Sequence, residues 1–375
     1  MGSCWIGARA GRRSALGGGS SVPPTVDLVV QVTGTAQKKA WDLNVLPPVE
    51  NVSPGVWSIP VPIPDNPLRY VLVYLLELDS GVALIDAGWN TSEAWDALQA
   101  GLAEAGGSIA DVTSVLVTHI HPDHYGLAGR IREESGATIA LHPADAAILQ
   151  ARYADTAGLL GKMLELLKYS GVPEASQPEL NLASMEIISQ VSMAVPDVLL
   201  EDGDRPDLTG WDLEVIWTPG HSPGHICFYS DSRRLLFSGD HVLARITPNV
   251  GVHTQQQLNP LGDYLQALLR LAYLDVNEVL PAHEYRFADL LGRVNEIIAH
   301  HAARLAEIEK VIQANPGITA WDTTLSLTWS RPWDTIPSFM QRAANGETLA
   351  HLVILENHGH IYHEGNNPAH FFVSR

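Results

Sequence analysis

From Val56 onward the apolar residues fall into short runs separated by Gly, Pro and Asp. Runs at Tyr70–Leu78, Val82–Asp86, Val112–Thr118, Thr138–Leu141, Leu213–Trp217, Ile226–Tyr229, Leu235–Ser238 and Glu278–Leu280 predict β-strands, being rich in β-branched and aromatic residues and bounded by turn formers. Helical spacing at Ser92–Ala105 and Gly126–Glu134 places helices between them. Strands packed under helices imply an α/β or α+β class with two sheets.

Two segments break this rhythm. Residues 145–196 turn helical and apolar and hold Met163, Met185 and Met193, so an insertion beside a site, possible as a lid, is expected there; ordinary helical core is the plainer reading. From Ala288, the positions Leu290, Leu291, Val294, Ile297, Ile298, Leu305, Ile308 and Val311 predict a long helix that Asn315-Pro316-Gly317 stops. A short strand-like run, a helix through Phe339–Leu355 and a hairpin-like stretch follow. The expected organisation is a disordered or loosely packed leader over 1–45, a catalytic domain over 46–287 and a small C-terminal domain over 288–375.

Composition narrows the function. With 23 Lys+Arg against 42 Asp+Glu the formal charge is -19, which repels phosphate backbones and anionic lipid. Cys4 and Cys227 are the only cysteines, so neither a disulfide framework nor a thiolate zinc site is supported, and a reducing, cytoplasmic setting is expected. No apolar run approaches the about 20 residues of a membrane-spanning helix. The expected partner is a small molecule rather than nucleic acid or membrane; the oligomeric state is left open, with a homodimer compatible.

The chemistry-bearing residues gather at strand ends. His119-Ile120-His121-Pro122-Asp123-His124 follows an apolar run at once. On extended backbone His119 and His121 point to the same side, and Pro122 is suited to opening a helix that brings Asp123 and His124 beside them. Further on, His221 lies in the turn Thr218-Pro219-Gly220-His221-Ser222-Pro223-Gly224-His225, Asp240 ends Phe237-Ser238-Gly239-Asp240, and His283 ends Val279-Leu280-Pro281-Ala282-His283. Imidazole and carboxylate are the donors zinc and iron take when thiolate is absent.

These motifs, with Leu84-Ile85-Asp86-Ala87-Gly88, resemble the metallo-β-lactamase-fold hydrolases over about Val56–Phe287. The resemblance implies an αββα sandwich of two mixed sheets flanked by helices. It implies two metal ions, zinc first with iron or manganese compatible: His119, His121 and His221 would hold one, Asp123, His124 and His283 the other, with Asp240 and a hydroxide between them. Asp123 would orient the hydroxide and carry its proton. Asp86, His225 and His241 are expected to support the ligands, and Arg245, Tyr285 and Arg286 to contact substrate.

Departures from the family narrow the substrate. His121 stands where flavo-diiron relatives carry Glu, and Leu243 where acyl-homoserine lactonases carry tyrosine. Asp240 replaces the cysteine of one β-lactamase subclass, and the glutathione-binding segment of glyoxalase II is absent after Asp240. Residues Phe339–Gly346 and Leu349–Leu352 resemble the winged-helix appendage of the β-lactamase-like endoribonucleases. That makes RNA or phosphodiester cleavage the rival reading, with β-lactamase activity a further alternative. Against RNA, residues 301–375 hold five Lys/Arg and seven Asp/Glu, which gives no phosphate-tracking surface. An apolar acyl thioester, ester or lactone is the expected substrate.

Overall fold

The computed structural model describes residues 30–182, 190–255 and 258–374. One sheet runs in the order β2 (Glu50–Ser53), β3 (Val56–Pro62), β4 (Tyr70–Glu77), β5 (Val82–Ile85), β6 (Val112–Leu116), β7 (Thr138–Leu141) and β8 (Val198–Leu199). The other runs in the order β1 (Gln31–Val32), β13 (Phe287–Ala288), β12 (Glu278–Pro281), β11 (Leu235–Gly239), β10 (Ile226–Ser230) and β9 (Leu213–Trp217). Both sheets are mixed: β5 to β8 pair in parallel and β11 pairs in parallel with β12, while the other neighbours are antiparallel.

The alternation along β4 shows why two layers of core form. Tyr70, Leu72, Tyr74 and Leu76 face the second sheet and meet Val215, Phe228, Phe237 and Leu280. Val71, Val73 and Leu75 face the opposite way, toward Trp95, Leu98 and Leu102 of the helix Ser92–Glu104. Each fully buried side chain of this size contributes about 2 kcal/mol. The two tyrosines also bridge the sheets, Tyr70 donating to the Glu284 carbonyl at 2.6 Å and Tyr74 to that of Pro281 at 2.8 Å. On the outer face of the second sheet, Ile216, Tyr229 and Val279 pack against Leu261, Leu268 and Leu271 of the helix Pro260–Leu271. The architecture is an αββα sandwich.

The helix Leu290–Ala314 joins this sandwich to the C-terminal elements. Its first half buries Leu290, Val294 and Ile297 against the second sheet, and its second half buries Ile308 and Ile312 among Leu349, Leu352, Leu355 and Phe371. Leu349, Leu352 and Leu355 belong to the helix Ser338–Asn357, which is followed by a hairpin of β14 (Ile361–Glu364) and β15 (His370–Val373).

Two expectations need correction. The expected loose leader does not extend over 31–43: β1 pairs with β13, and the helix Thr35–Leu43 buries Gln37, whose amide donates to Ser58 at 3.0 Å. Residues 1–29, with Cys4, lie outside the described residues, as does Met185. The strand-like run after Gly317 is the helix Ala320–Ser326, because the Thr319 hydroxyl accepts from the Asp322 N–H and caps its start. The helix Pro260–Leu271 carried a readable signal that the strand reading passed over, Asn259 as its cap and Pro260 in its first turn. Among the described residues no helix is long and apolar enough to cross a membrane.

Candidate metal centre

The expected ligands lie beyond strand ends on one edge of the sandwich. His119 and His121 follow β6, and His121 is the residue from which the short helix Pro122–Tyr125 starts, with Pro122 in its first turn. That turn buries Asp123 and His124 beside the two preceding imidazoles. His221 sits between β9 and β10, Asp240 just after β11 and His283 just after β12. Three sets have donor atoms within 4.8 Å of one another: His119, His121 and His221; His119, His124 and Asp240; and Asp123, His124 and His283. Asp240 joins them. Its Oδ2 lies 3.4 Å from His221 Nε2, while its Oδ1 lies 3.2 Å from His283 Nε2 and 3.5 Å from His124 Nε2.

Four imidazoles are held from behind at Nδ1. His221 donates to the Asn249 carbonyl at 2.8 Å and His283 to the Tyr70 carbonyl at 2.8 Å. His124 Nδ1 meets Asp86 Oδ2 at 2.8 Å, and His119 Nδ1 lies 3.1 Å from the Thr118 hydroxyl. Asp86 also accepts from the Thr118 N–H at 2.8 Å, from a left-handed backbone conformation (φ +66°) that a short polar residue tolerates. Partners of this kind fix the tautomer and aim Nε2 forward.

The forward-facing atoms test whether metal fits. Nε2 of His124, His221 and His283 and Oδ1 of Asp240 are sealed from solvent and make no hydrogen bond. An orphaned buried polar atom costs about 1–3 kcal/mol, so several around one centre mark a place for cations. The donor set, five imidazoles and two carboxylates, suits a pair of zinc-like ions.

The electrostatics agree. Burial and then the surrounding imidazoles push His119 and His121 well below the ordinary histidine range, and burial lowers His221. Burial also opposes protonation of His283, but Asp240 and Asp123 outweigh it and raise the group to about 10. His124 is raised for the same reason by Asp86, Asp123 and Asp240. These protons stand where cationic charge is favoured, and a metal held by these residues would take their place.

The supporting residues divide. Asp86 and His225 both touch the ligand framework, His225 accepting the Asp240 backbone N–H at Nε2 (3.1 Å). Gly239 makes that contact feasible: with φ +50°, a Cβ there would lie 2.7 Å from His225 Nε2. His241 instead packs its ring on Tyr264 and bonds to none of the ligands. Cys227 is buried, and burial pushes its thiol up to about 12.

Arg245, Tyr285 and Arg286 are not among the described residues that line the cavity beside the expected ligands. Glu284 adopts φ +68° directly after His283. Arg286 then pairs with Glu278 at 2.5 Å and Glu50 at 3.4 Å, while Tyr285 lies under Lys38 of the N-terminal helix. Arg245 is exposed, and its backbone N–H is held by Glu284 at 2.7 Å.

Asp145, Arg152 and Arg342 went unread in the sequence. The Asp145 carboxylate accepts from the Ile120 N–H at 3.0 Å, the Ser222 hydroxyl at 2.8 Å and the Gly224 N–H at 2.6 Å. It thereby ties the loop carrying His119 and His121 to the turn carrying His221. Beside the metal ligands opens a cavity of about 340 Å³, walled by the helical insertion on one side and the helix Ser338–Asn357 on the other. Arg152 and Arg342 line it, as does Met163.

The family model described as the metallo-beta-lactamase superfamily matches residues 66–283, which carry all seven ligand-type residues. The chain belongs to that superfamily. A metallo-beta-lactamase family protein from Thermus thermophilus is 34% identical and superposes with a TM-score of 0.75, covering 86% of this chain and 99% of its own. The probable metallo-hydrolase YqjP of Bacillus subtilis is 27% identical over 320 residues, 83% of this chain and 96% of its own length. A hydroxyacylglutathione hydrolase from Pseudomonas putida is 39% identical over 97 residues, only 25% of this chain and 35% of its own.

Proposed function

We propose that this metallo-hydrolase superfamily member holds two zinc ions and hydrolyses a compact acyl thioester, ester or lactone. The observation that carries the reading is the convergence of the buried His124, His221 and His283 Nε2 atoms, which make no hydrogen bond, on the two oxygens of the Asp240 carboxylate. His119, His121 and His221 would hold one ion, Asp123, His124 and His283 the other, and Asp240 both. Bound divalent ions supply an activated water at neutral pH and polarisation of the scissile carbonyl.

The chain's own part is positioning and proton transfer. Asp123 and Asp240, the two ligand-type carboxylates, both line the cavity. Burial raises the pKa of Asp123, but His124 and His283 outweigh this and hold it below the usual carboxylate range, so it is ionised at neutral pH. Asp123 is therefore suited to accept the proton of the attacking water and pass it to the leaving group. Leu68, Trp89, Leu159, Met163 and Phe339 give the cavity an apolar wall for an acyl chain. Two arginines among the described lining residues and a net charge of -19 disfavour an RNA backbone, which needs a cationic track.

The test is kcat/KM of zinc-loaded protein for acyl-thioester, ester and lactone probes beside nitrocefin, a bis-phosphodiester and single-stranded RNA at two salt concentrations. The reading expects metal-dependent cleavage of an acyl probe. Efficient RNA cleavage that falls steeply with salt, with the acyl probes inert, would overturn it.

A further inference from the structure

The imidazoles of the metal centre lean on different parts of the backbone. His283 is backed by the carbonyl of Tyr70 in β4, His124 by Asp86 directly after β5, and His119 by Thr118 just beyond β6. His221 differs. Its Nδ1–H goes to the carbonyl of Asn249 at 2.8 Å, and between β11 and the helix Pro260–Leu271 the described backbone is neither helix nor strand. A carbonyl on irregular backbone aims an imidazole only as well as that backbone is itself held.

This segment is gripped on both sides. Upstream, the Glu284 carboxylate accepts the N–H groups of Arg245 at 2.7 Å and Ile246 at 3.2 Å, and Arg293 donates to the carbonyls of Leu243, Arg245 and Ile246. At Asn249 and beyond, the anchor is the C-terminal helix Ser338–Asn357. The Asn249 side-chain amide donates to the Ala343 carbonyl at 3.3 Å and reaches the Glu347 carboxylate at 3.5 Å, while the Val252 N–H donates to the Gly346 carbonyl at 2.9 Å. Two glycines let loop and helix approach this closely. A Cβ at Gly251 would lie 3.0 Å from the Gly346 carbonyl carbon, and one at Gly346 would lie 3.1 Å from the Val252 oxygen. The helix is a firm base, because Leu349, Leu352 and Leu355 are buried with Ile308 and Ile312, and Val252 packs against the same cluster.

From this geometry we infer that Asn249 is a positioning residue that couples the C-terminal helix to His221, so that a helix supplying none of the seven expected ligands sets the affinity of the ion held by His119, His121 and His221. The inference rests on the metal reading for the ion, but not for the imidazole that is held. Releasing the Asn249 side chain leaves its carbonyl in the chain but no longer aimed, and His221 Nε2 then loses its fixed place 3.4 Å from Asp240 Oδ2. His124 and His283 lean on Asp86 and Tyr70 within the sandwich, so the loss falls on one ion and spares the other.

The experiment compares the full-length native protein with Asn249→Ala, which keeps the carbonyl and removes its anchor. Gly346→Ala and Gly346→Val form a second series that wedges loop from helix without altering Asn249. Zinc titration against a chromogenic chelator should show one of the two equivalents bound about 10-fold or more weakly in Asn249→Ala, with the other within about 2-fold of native. The same selective loss should grow from Gly346→Ala to Gly346→Val. A second readout needs no metal: in protein labelled with nitrogen-15, the His221 Nδ1–H resonance, assigned by its loss in His221→Gln, should be protected from solvent exchange in the native chain. Asn249→Ala and Gly346→Val should both remove that protection.

The outcomes separate the two readings. Lost protection of His221 in Asn249→Ala, with no zinc taken up by the native chain, would keep the coupling of helix to imidazole and remove the metal reading. Two zinc equivalents bound with native affinity by Asn249→Ala, and His221 protection unchanged, would overturn the coupling and leave the metal reading standing. An equal loss at both zinc steps together with a lower unfolding free energy would mark a general structural role for Asn249 and overturn the coupling as well.

Discussion

His225 accepts the backbone N–H of Asp240 at its Nε2, 3.1 Å away, and is itself held at Nδ1 by the Thr218 hydroxyl at 2.7 Å. The carboxylate that faces both halves of the metal centre thus depends on a histidine that is not among the expected ligands. Outer partners of this kind typically affect metal affinity by about 10–100-fold. His225→Ala is expected to lose zinc affinity on that scale in competition with a chromogenic chelator, with the fold retained by circular dichroism. An affinity equal to that of the native chain would show that Asp240 needs no such support.

Asp145 gives a prediction with a defined pH sign. Burial raises its pKa to about 6, against the pull of its hydrogen bonds to Ser222, Gly224 and Ile120. The unfolded chain releases this proton near pH ~3.9, so the folded state binds it more tightly. The resulting stabilisation is fully present below about pH 4 and is lost as pH rises through about 6; the shift corresponds to roughly 3 kcal/mol. Asp145→Asn removes the titration. Urea unfolding should therefore show the difference between variant and native protein moving in the variant's favour by up to roughly 3 kcal/mol between about pH 4 and 7. A difference that stays flat across this range contradicts the assignment.

Arg286 separates a structural arginine from a substrate arginine. It is 7% exposed and bridges Glu278 and Glu50 under the N-terminal helix, away from the cavity. Breaking a buried pair leaves a charge unmatched and costs about 3–5 kcal/mol. Arg286→Met should lower the unfolding free energy on that scale and leave KM for a hydrolysed probe within about 2-fold, as for a residue outside the binding cavity. A raised KM with native stability would return Arg286 to the substrate site.

How much of this was legible in the sequence depended on how local the signal was. Short apolar runs such as Thr138–Leu141 and Leu213–Trp217 became strands over the same residues, because β-branched residues bounded by turn formers write a buried strand directly into the chain. The cluster His119–His124 was readable for a similar reason, as neighbouring residues on an extended segment and a first helical turn share one pocket. The cavity wall was not. Arg152 and Arg342 line one cavity because the insertion and the C-terminal helix pack together, with Asn345 donating to the Ser170 hydroxyl at 3.0 Å. Proximity along the chain misled in the opposite direction for Arg286, which stands three residues after His283 yet pairs with Glu278 and Glu50.

The central claim is that His119, His121, Asp123, His124, His221, Asp240 and His283 hold two metal ions that the hydrolysis requires. Elemental analysis and acyl-probe turnover on the same samples, before chelation, after chelation and after zinc is restored, test it most directly. The expected result is two equivalents of zinc per chain, loss of both metal and activity on chelation, recovery of both on reloading, and less than one equivalent in Asp240→Ala. One equivalent or less in the reloaded native protein, or turnover that survives complete chelation, would contradict the two-metal account.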